Sequence, residues 1–253
     1  MSKPLSSLPP SVEIRLAGWA RIQEGLLPAP GKKFRPTITL SREFGCEGYP
    51  LAECLQGLME KTYGEPWHIL DKSLIERVAQ DEGISLRLLR NLGDMTRLLE
   101  SLGLHSADHV THDAAFEKVA KHLLEMAGVG NAIIVGRGGA ILCHDLKNCF
   151  HFRLEASLQW RVHSIAERLC LPENEARELV RTNSRIREKF INDCLGANIA
   201  DLKYYDAVFN NERHSVEAIA QAILAYVKQA WPGKLSGTGS TPEGGRTGFP
   251  SPK

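Results

Sequence analysis

Thr37-Ile38-Thr39-Leu40-Ser41-Arg42-Glu43-Phe44-Gly45-Cys46-Glu47-Gly48-Tyr49-Pro50 is the stretch whose reading decides the fold. Its first four residues alternate β-branched and aliphatic side chains, the pattern of a buried strand. Two glycines then loosen the backbone, and Pro50 stands where a helix favours proline, in its first turn. A glycine-bearing turn between strand and helix is where anion-binding loops occur, because backbone N–H groups turn inward and the helix N-terminus favours negative charge. The full phosphate-loop motif ends in Gly-Lys-Ser/Thr. Here that place reads Gly48-Tyr49-Pro50, with neither the lysine nor the hydroxyl. Glu43 and Glu47 would also repel an anion if they pointed inward. Alone, the stretch reads equally well as a plain strand-to-helix turn and as a binding loop.

Outward from it, short β-rich runs alternate with helical patterns. Trp67 to Leu70 reads as a second strand, with Asp71 a reasonable N-cap for a helix after it. Apolar spacing from Ala114 to Met126 is helical. Ala132 to Val135 is a continuous apolar strand followed by Gly136-Arg137-Gly138-Gly139 and another helix. Cys149 to Leu154 is a strand, Ser157 caps a helix through Leu169, and Glu173 to about Ile191 is a charged helix. Ala207 to Phe209 is the last strand and Val216 to Trp231 the last helix. Strands separated by helices, with glycines and polar residues at their carboxyl ends, predict an α/β fold. Its roughly five-stranded parallel sheet would be covered on both faces, in three layers. Ligands of such sheets bind at the carboxyl ends of the strands, where strand order reverses.

One domain accounts for residues 35–231. Residues 1–34 form an N-terminal extension. Its amphipathic stretch over residues 11–26 (Val12, Ile14, Leu16, Trp19, Ile22, Leu26) suits a short helix that docks on the domain or on a protein partner; a purely disordered leader is the alternative. Residues 232–253, rich in Gly, Ser, Pro and Thr, carry too little apolar surface to fold and read as a disordered tail. With 31 basic against 30 acidic residues, no global field favours nucleic acid or an anionic membrane. No apolar run approaches the ~18 residues of a membrane span, nor a signal peptide. Six cysteines without Cys-x-x-Cys spacing read as reduced thiols. A cytoplasmic protein is the expectation.

Four groups of residues carry candidate chemistry. Arg137, flanked by glycines at the end of a buried strand, offers a guanidinium fork to a phosphate or a base edge; a structural ion pair is the bland alternative. Asp71, Ser73 and Arg77 come after the second strand, where a capped helix with a solvated face would suffice to explain them. Arg177, Arg181 and Arg185 share a helical face by their spacing of four, with Arg187 and Lys189 close by. Like charges so spaced repel, so the face suggests an anionic ligand, or else a solvated helix balanced by Glu173, Glu178 and Glu188. His105, His109 and His112 stand at near-helical spacing. They lack cysteine ligands and lie in a polar stretch, so no metal site is expected there.

Taken in order, ITLSREFGCEGYPLA, ILDKSLIERVA, IIVGRGGAIL, FRLEASLQWRVHSIAERL and YYDAVFNNE resemble the cytidylate kinase-like family, over about residues 36–228. That family is an offshoot of the bacterial cytidylate kinases within the P-loop nucleoside monophosphate kinases. The resemblance implies a three-layer P-loop kinase-like fold with a helical lid, and use of ATP with Mg²⁺. It implies ATP-dependent phosphoryl transfer to a nucleoside monophosphate, CMP or dCMP foremost. It places donor phosphates at Ser41, Gly45, Cys46 and Gly48, and the acceptor at Asp71, Ser73, Arg77 and Arg137. Arg181, Arg185 and Arg187 would be lid arginines closing over the migrating phosphoryl group. The family itself usually lacks the loop lysine; its arginine after the last loop glycine is Tyr49 here. Arg42 is then the basic group left to reach the phosphates, and is expected to be catalytic. Two other outcomes fit the same fold: a catalytically weak nucleotide-sensing or protein-binding module, and a kinase of a non-nucleotide acceptor.

Overall fold

The structure, a computed structural model, describes residues 35–71, 120, 123–124 and 126–231. Strand β1 (Thr37–Arg42) runs two residues beyond the expected end and delivers Arg42 to the carboxyl edge of the sheet. Helix α1 (Gly48–Tyr63) begins after a five-residue turn and ends on Gly64, whose left-handed backbone closes the last turn. Strand β2 (His68–Leu70) stops just before Asp71. After helical residues 126–129 come β3 (Ala132–Val135) and the one-turn helix α2 (Gly139–Leu142). Strand β4 (Cys149–Glu155) leads to α3 (Leu158–Leu169), capped by the Ser157 hydroxyl, which accepts from the Trp160 N–H. Helix α4 (Glu173–Leu195) is a turn longer than its sequence suggested. Strand β5 (Ala207–Asn210) and helix α5 (Val216–Ala230) complete the domain.

The five strands are all parallel, in the order β2-β3-β1-β4-β5. The chain fills one side of β1 first and then crosses to the other, so strand order reverses at β1. The carboxyl end of β1 is therefore the crevice where such sheets bind ligands.

Alternation along β1 sorts its two faces. Ile38 and Leu40 are buried with Leu51, Leu55 and Met59 of α1, Ile133 and Val135 of β3, Phe150 and Phe152 of β4, and Ile219, Ile223 and Val227 of α5. Thr37, Thr39 and Ser41 point to the opposite face, where burial is accepted only because partners are present. The Thr37 hydroxyl donates to the Ala127 carbonyl at 2.8 Å, and the Thr39 hydroxyl meets His151 Nδ1 at 2.8 Å. Helices α3 and α4 pack on each other through Val162, Ile165, Ala176 and Val180, a separate small core beside the carboxyl edge of the sheet. All six cysteines are free thiols. Among the described residues no helix is long and apolar enough to cross a membrane. The stretch 11–26, Ser73, Arg77, the three histidines and the tail 232–253 lie outside the described residues, as does most of the expected helix from Ala114.

Candidate functional site

At the carboxyl edge of β1 lies a cavity of about 510 Å³. Its floor is the turn itself, Phe44 to Cys46, with Gly48, Tyr49 and Pro50 from the start of α1; its walls carry Ile165 and Leu169 of α3 and Val135 of β3. Among the described residues, three arginines, Arg42, Arg168 and Arg187, line it with a single carboxylate, Asp71. The N-cap of α1 is Glu47, whose side chain makes no capping bond, and the first turn, which contains no acidic residue, lines the cavity through Gly48, Tyr49 and Pro50.

Two glycines make room for Arg42. A Cβ on Gly48 would stand 3.0 Å from Arg42 Cδ, and one on Gly136 would stand 2.2 Å from its Nη1. The stem of Arg42 thus crosses the start of α1, through the space a side chain at residue 48 would enter. Its guanidinium ends over the backbone after β3. Gly136, Arg137 and Gly138 are all left-handed, with φ of 78°, 54° and 69°. For arginine that conformation costs roughly 1 kcal/mol. The Arg137 guanidinium lies 5.7 Å from the Phe190 ring centroid of α4. Arg187 reaches in from α4, 4.9 Å over the Phe44 ring, and donates from Nη1 to the Arg42 carbonyl at 3.4 Å.

These cations feel one another. Burial first, then the neighbouring Arg137 charge, push Arg42 down to about 10, with Asp71 and Cys46 acting against the shift. Burial and the charges of Arg42 and Arg137 push Arg187 down to about 9. Both remain cations at neutral pH, held close enough to repel. The Cys46 thiol is pushed up to about 12 by burial and Glu43, so it offers no thiolate nucleophile at neutral pH.

The outer side of the turn is stitched to the body. Arg161 donates from Nη1 to the Phe44 carbonyl at 3.3 Å and from Nε to the Ala156 carbonyl at 3.1 Å, and lies 3.3 Å from the Glu43 carboxylate. The Ser164 hydroxyl donates to the Gly45 carbonyl at 3.1 Å, and Arg168 Nη2 donates to the same oxygen. Gly45 has φ of 104°, and a Cβ there would come within 2.6 Å of Arg161 Cβ. Only glycine lets α3 approach so closely. Both loop glutamates are held outside the lining: Glu43 by Arg161 and the Ala156 N–H, Glu47 by Asn211.

Of the residues singled out from sequence, Arg42, Gly45, Cys46, Gly48, Asp71 and Arg187 line one cavity. Arg137 sits at its edge, next to Arg42 in charge; Ser41 is buried at the end of β1, outside the lining. Arg181 and Arg185 are exposed and do not line it. The reason is helical phase: two residues turn a helix by about 200°, so Arg187 faces inward where Arg185 faces out. Arg187 instead shares the face of Val180 and Ile191, both buried in α4. Arg177 pairs with Glu173 at 2.8 Å. The sequence reading missed Arg161, Ser164, Arg168 and Asn211. The first three recur at i, i+3 and i+7, a polar stripe along one face of α3 that spacing alone would have shown.

A group of phosphates fits this cavity: cations and a helix N-terminus face it, and the glutamates do not. For a divalent ion the described lining residues offer one carboxylate, Asp71. Among the described residues no group of three or more His, Cys, Asp or Glu side chains is placed to hold a metal.

A family model matches residues 37–213, and it is that of the cytidylate kinase-like family. The chain belongs to this family. No curated protein matches it in sequence. Among solved structures, an uncharacterized protein from Eubacterium ventriosum is similar at 18% identity and a TM-score of 0.56, over 77% of this chain and 99% of that one. The protein TT1252 from Thermus thermophilus aligns at 17% identity and 0.47, over 77% and 99%. A shikimate kinase from Bacteroides thetaiotaomicron aligns at 10% and 0.41, over 76% and 98%. The fold of this cytidylate kinase-like protein is that of the P-loop kinases: a five-stranded parallel sheet between helices, with α3 and α4 beside the cavity.

Proposed function

We propose that the protein transfers a phosphoryl group from ATP to a nucleoside monophosphate, with CMP or dCMP as the first acceptors to try. The observation that carries this reading is the convergence of Arg42, Arg137 and Arg187 at the carboxyl ends of β1 and β3. The Arg137 charge lowers the pKa of Arg42, and both lower that of Arg187; cations so placed are held together at a cost, which an anionic ligand of several charges would relieve. Donor phosphates would lie over the turn from Gly45 to Gly48, against the N-terminus of α1. Arg42 and Arg187 would neutralise the charge that moves between donor and acceptor. Arg137, with Asp71, Ser73 and Arg77, would hold the acceptor. Mg²⁺, when bound, would neutralise donor phosphate oxygens. Phosphoryl transfer depends on positioning and charge rather than on covalent chemistry by the protein, so arginines can take the place of the absent lysine.

A second reading has its own observation. The Glu47 N–H, one of the loop amides available for a phosphate, donates instead to Asn211 Oδ1 at 2.7 Å. A module that senses nucleotide with little turnover would tolerate this. Chromatographic detection of nucleoside diphosphate decides between them, with ATP, Mg²⁺ and a panel of nucleoside monophosphates. The kinase reading expects CDP or dCDP over many turnovers, and a drop of about a hundredfold in Arg137→Ala. ATP-dependent thermal stabilisation without product from any monophosphate would favour the sensing module.

A further inference from the structure

Two glutamates stand in the turn that faces the cavity, and each has a holder. Glu43 is fixed by Arg161, which also serves Phe44, Ala156 and Ser184 and so cannot be removed without disturbing much else. Glu47 has a simpler holder. Asn211 Nδ2 donates to the Glu47 carboxylate at 3.2 Å, while Asn211 Oδ1 accepts the Glu47 N–H at 2.7 Å. Asn211 is 3% exposed, and its own N–H donates to the Glu155 carbonyl at 2.8 Å, so the main chain beneath the side chain is anchored independently. Cys46 and Gly48, the sequence neighbours of Glu47, both line the cavity; Glu47 does not. Arg168, which lines it, lies within the electrostatic reach of Glu47.

We infer that Asn211 is a positioning residue for the phosphate site: it holds the Glu47 carboxylate outside the cavity, and without it that carboxylate competes with phosphate for the cavity arginines. This rests on the reading of the cavity as a polyphosphate site. The reciprocal pair of bonds lets a glutamate occupy a loop position facing anions, because the amide group satisfies the carboxylate and the backbone N–H together. Remove it, and a flexible carboxylate is left beside Arg168 with no other partner of comparable reach in the turn. An internal carboxylate paired with those cations opposes a phosphate by charge as well as by occupancy.

The test is titration calorimetry of the full chain with ATP and, separately, inorganic tripolyphosphate. It compares wild type, Asn211→Ala, Glu47→Gln and the double variant. Asn211→Ala should weaken both ligands roughly tenfold. Adding Glu47→Gln to it should restore affinity to within about twofold of wild type, and Glu47→Gln alone should bind as wild type does. The restoration separates this role from a merely structural one, since removing a charge does not rebuild a loop. If Asn211→Ala melts out, Asn211→Ser takes its place with the same expectations. Unchanged affinity in Asn211→Ala, or a loss that Glu47→Gln does not repair, overturns the inference and leaves the cavity's role standing. Wild type that binds neither ligand overturns both.

Discussion

Two sets of arginines meet at the turn between β1 and α1, and they are used in opposite ways. On the outer side, Arg161 and Arg168 place their donors on the Phe44, Gly45 and Ala156 carbonyls, and Arg161 also pairs with Glu43, while Arg168 reaches the cavity lining as well. On the cavity side, Arg42, Arg137 and Arg187 are held near one another: the Arg137 charge lowers the pKa of Arg42, and the Arg42 and Arg137 charges lower that of Arg187. The residue type is the same; the partners differ. An arginine surrounded by carbonyls and a carboxylate fixes a backbone, while arginines gathered against their mutual repulsion are, on the proposed function, the ones an anion would meet. On that reading the outer set supports the turn and the inner set serves the ligand.

That division can be broken from either side. The largest effect on stability is expected from the outer set. Arg161→Met leaves the Phe44 and Ala156 carbonyls and the Glu43 carboxylate without their shared donor, and should cost about 3 kcal/mol in a denaturant titration. A cost under about 1 kcal/mol would mean the stitching is incidental. On the inner side, Arg187→Gln should weaken ATP about thirtyfold while leaving the melting temperature no lower than in wild type. It removes a cation that burial and two like charges disfavour in the folded state. A fall in both would place Arg187 with the structural set. The smallest effect is expected at Arg181 and Arg185. Alanine at either should change ATP affinity by less than about threefold, as for exposed charges outside the site. A larger change would mean that α4 swings over the cavity when ligand binds and brings its outer face with it.

Much of this was legible in the sequence. The strand-turn-helix around residues 37–50 and the buried run Ala132 to Val135 fixed the parallel sheet through β-propensity and glycine placement. Ser157 announced the start of α3 by its capping chemistry. The arginines were harder. Spacing of four drew the eye to Arg177, Arg181 and Arg185, yet one is paired with Glu173 and two are exposed. Arg187 enters because the apolar phase of α4, through Val180 and Ile191, turns it inward. Asn211 lay within the segment YYDAVFNNE, but its role was not legible, because its partner Glu47 lies 164 residues away and only the closing of β5 beside β4 brings them together. Glu43 and Glu47 looked like an objection to phosphate binding. They cease to be one once Arg161 and Asn211 are seen to hold them.

The geometry at Gly48 supplies the most direct test of the whole account. Arg42 crosses the space that a side chain at residue 48 would enter, beside Tyr49, which stands where the phosphate-loop motif has its lysine. Calorimetric ATP affinities of wild type, Arg42→Ala and the double variant Arg42→Ala with Tyr49→Lys would decide whether the strand arginine stands in for that lysine. The account predicts a loss of about a hundredfold in Arg42→Ala and recovery to within about fivefold when lysine is placed at 49. A folded Arg42→Ala that binds ATP as wild type does would contradict it.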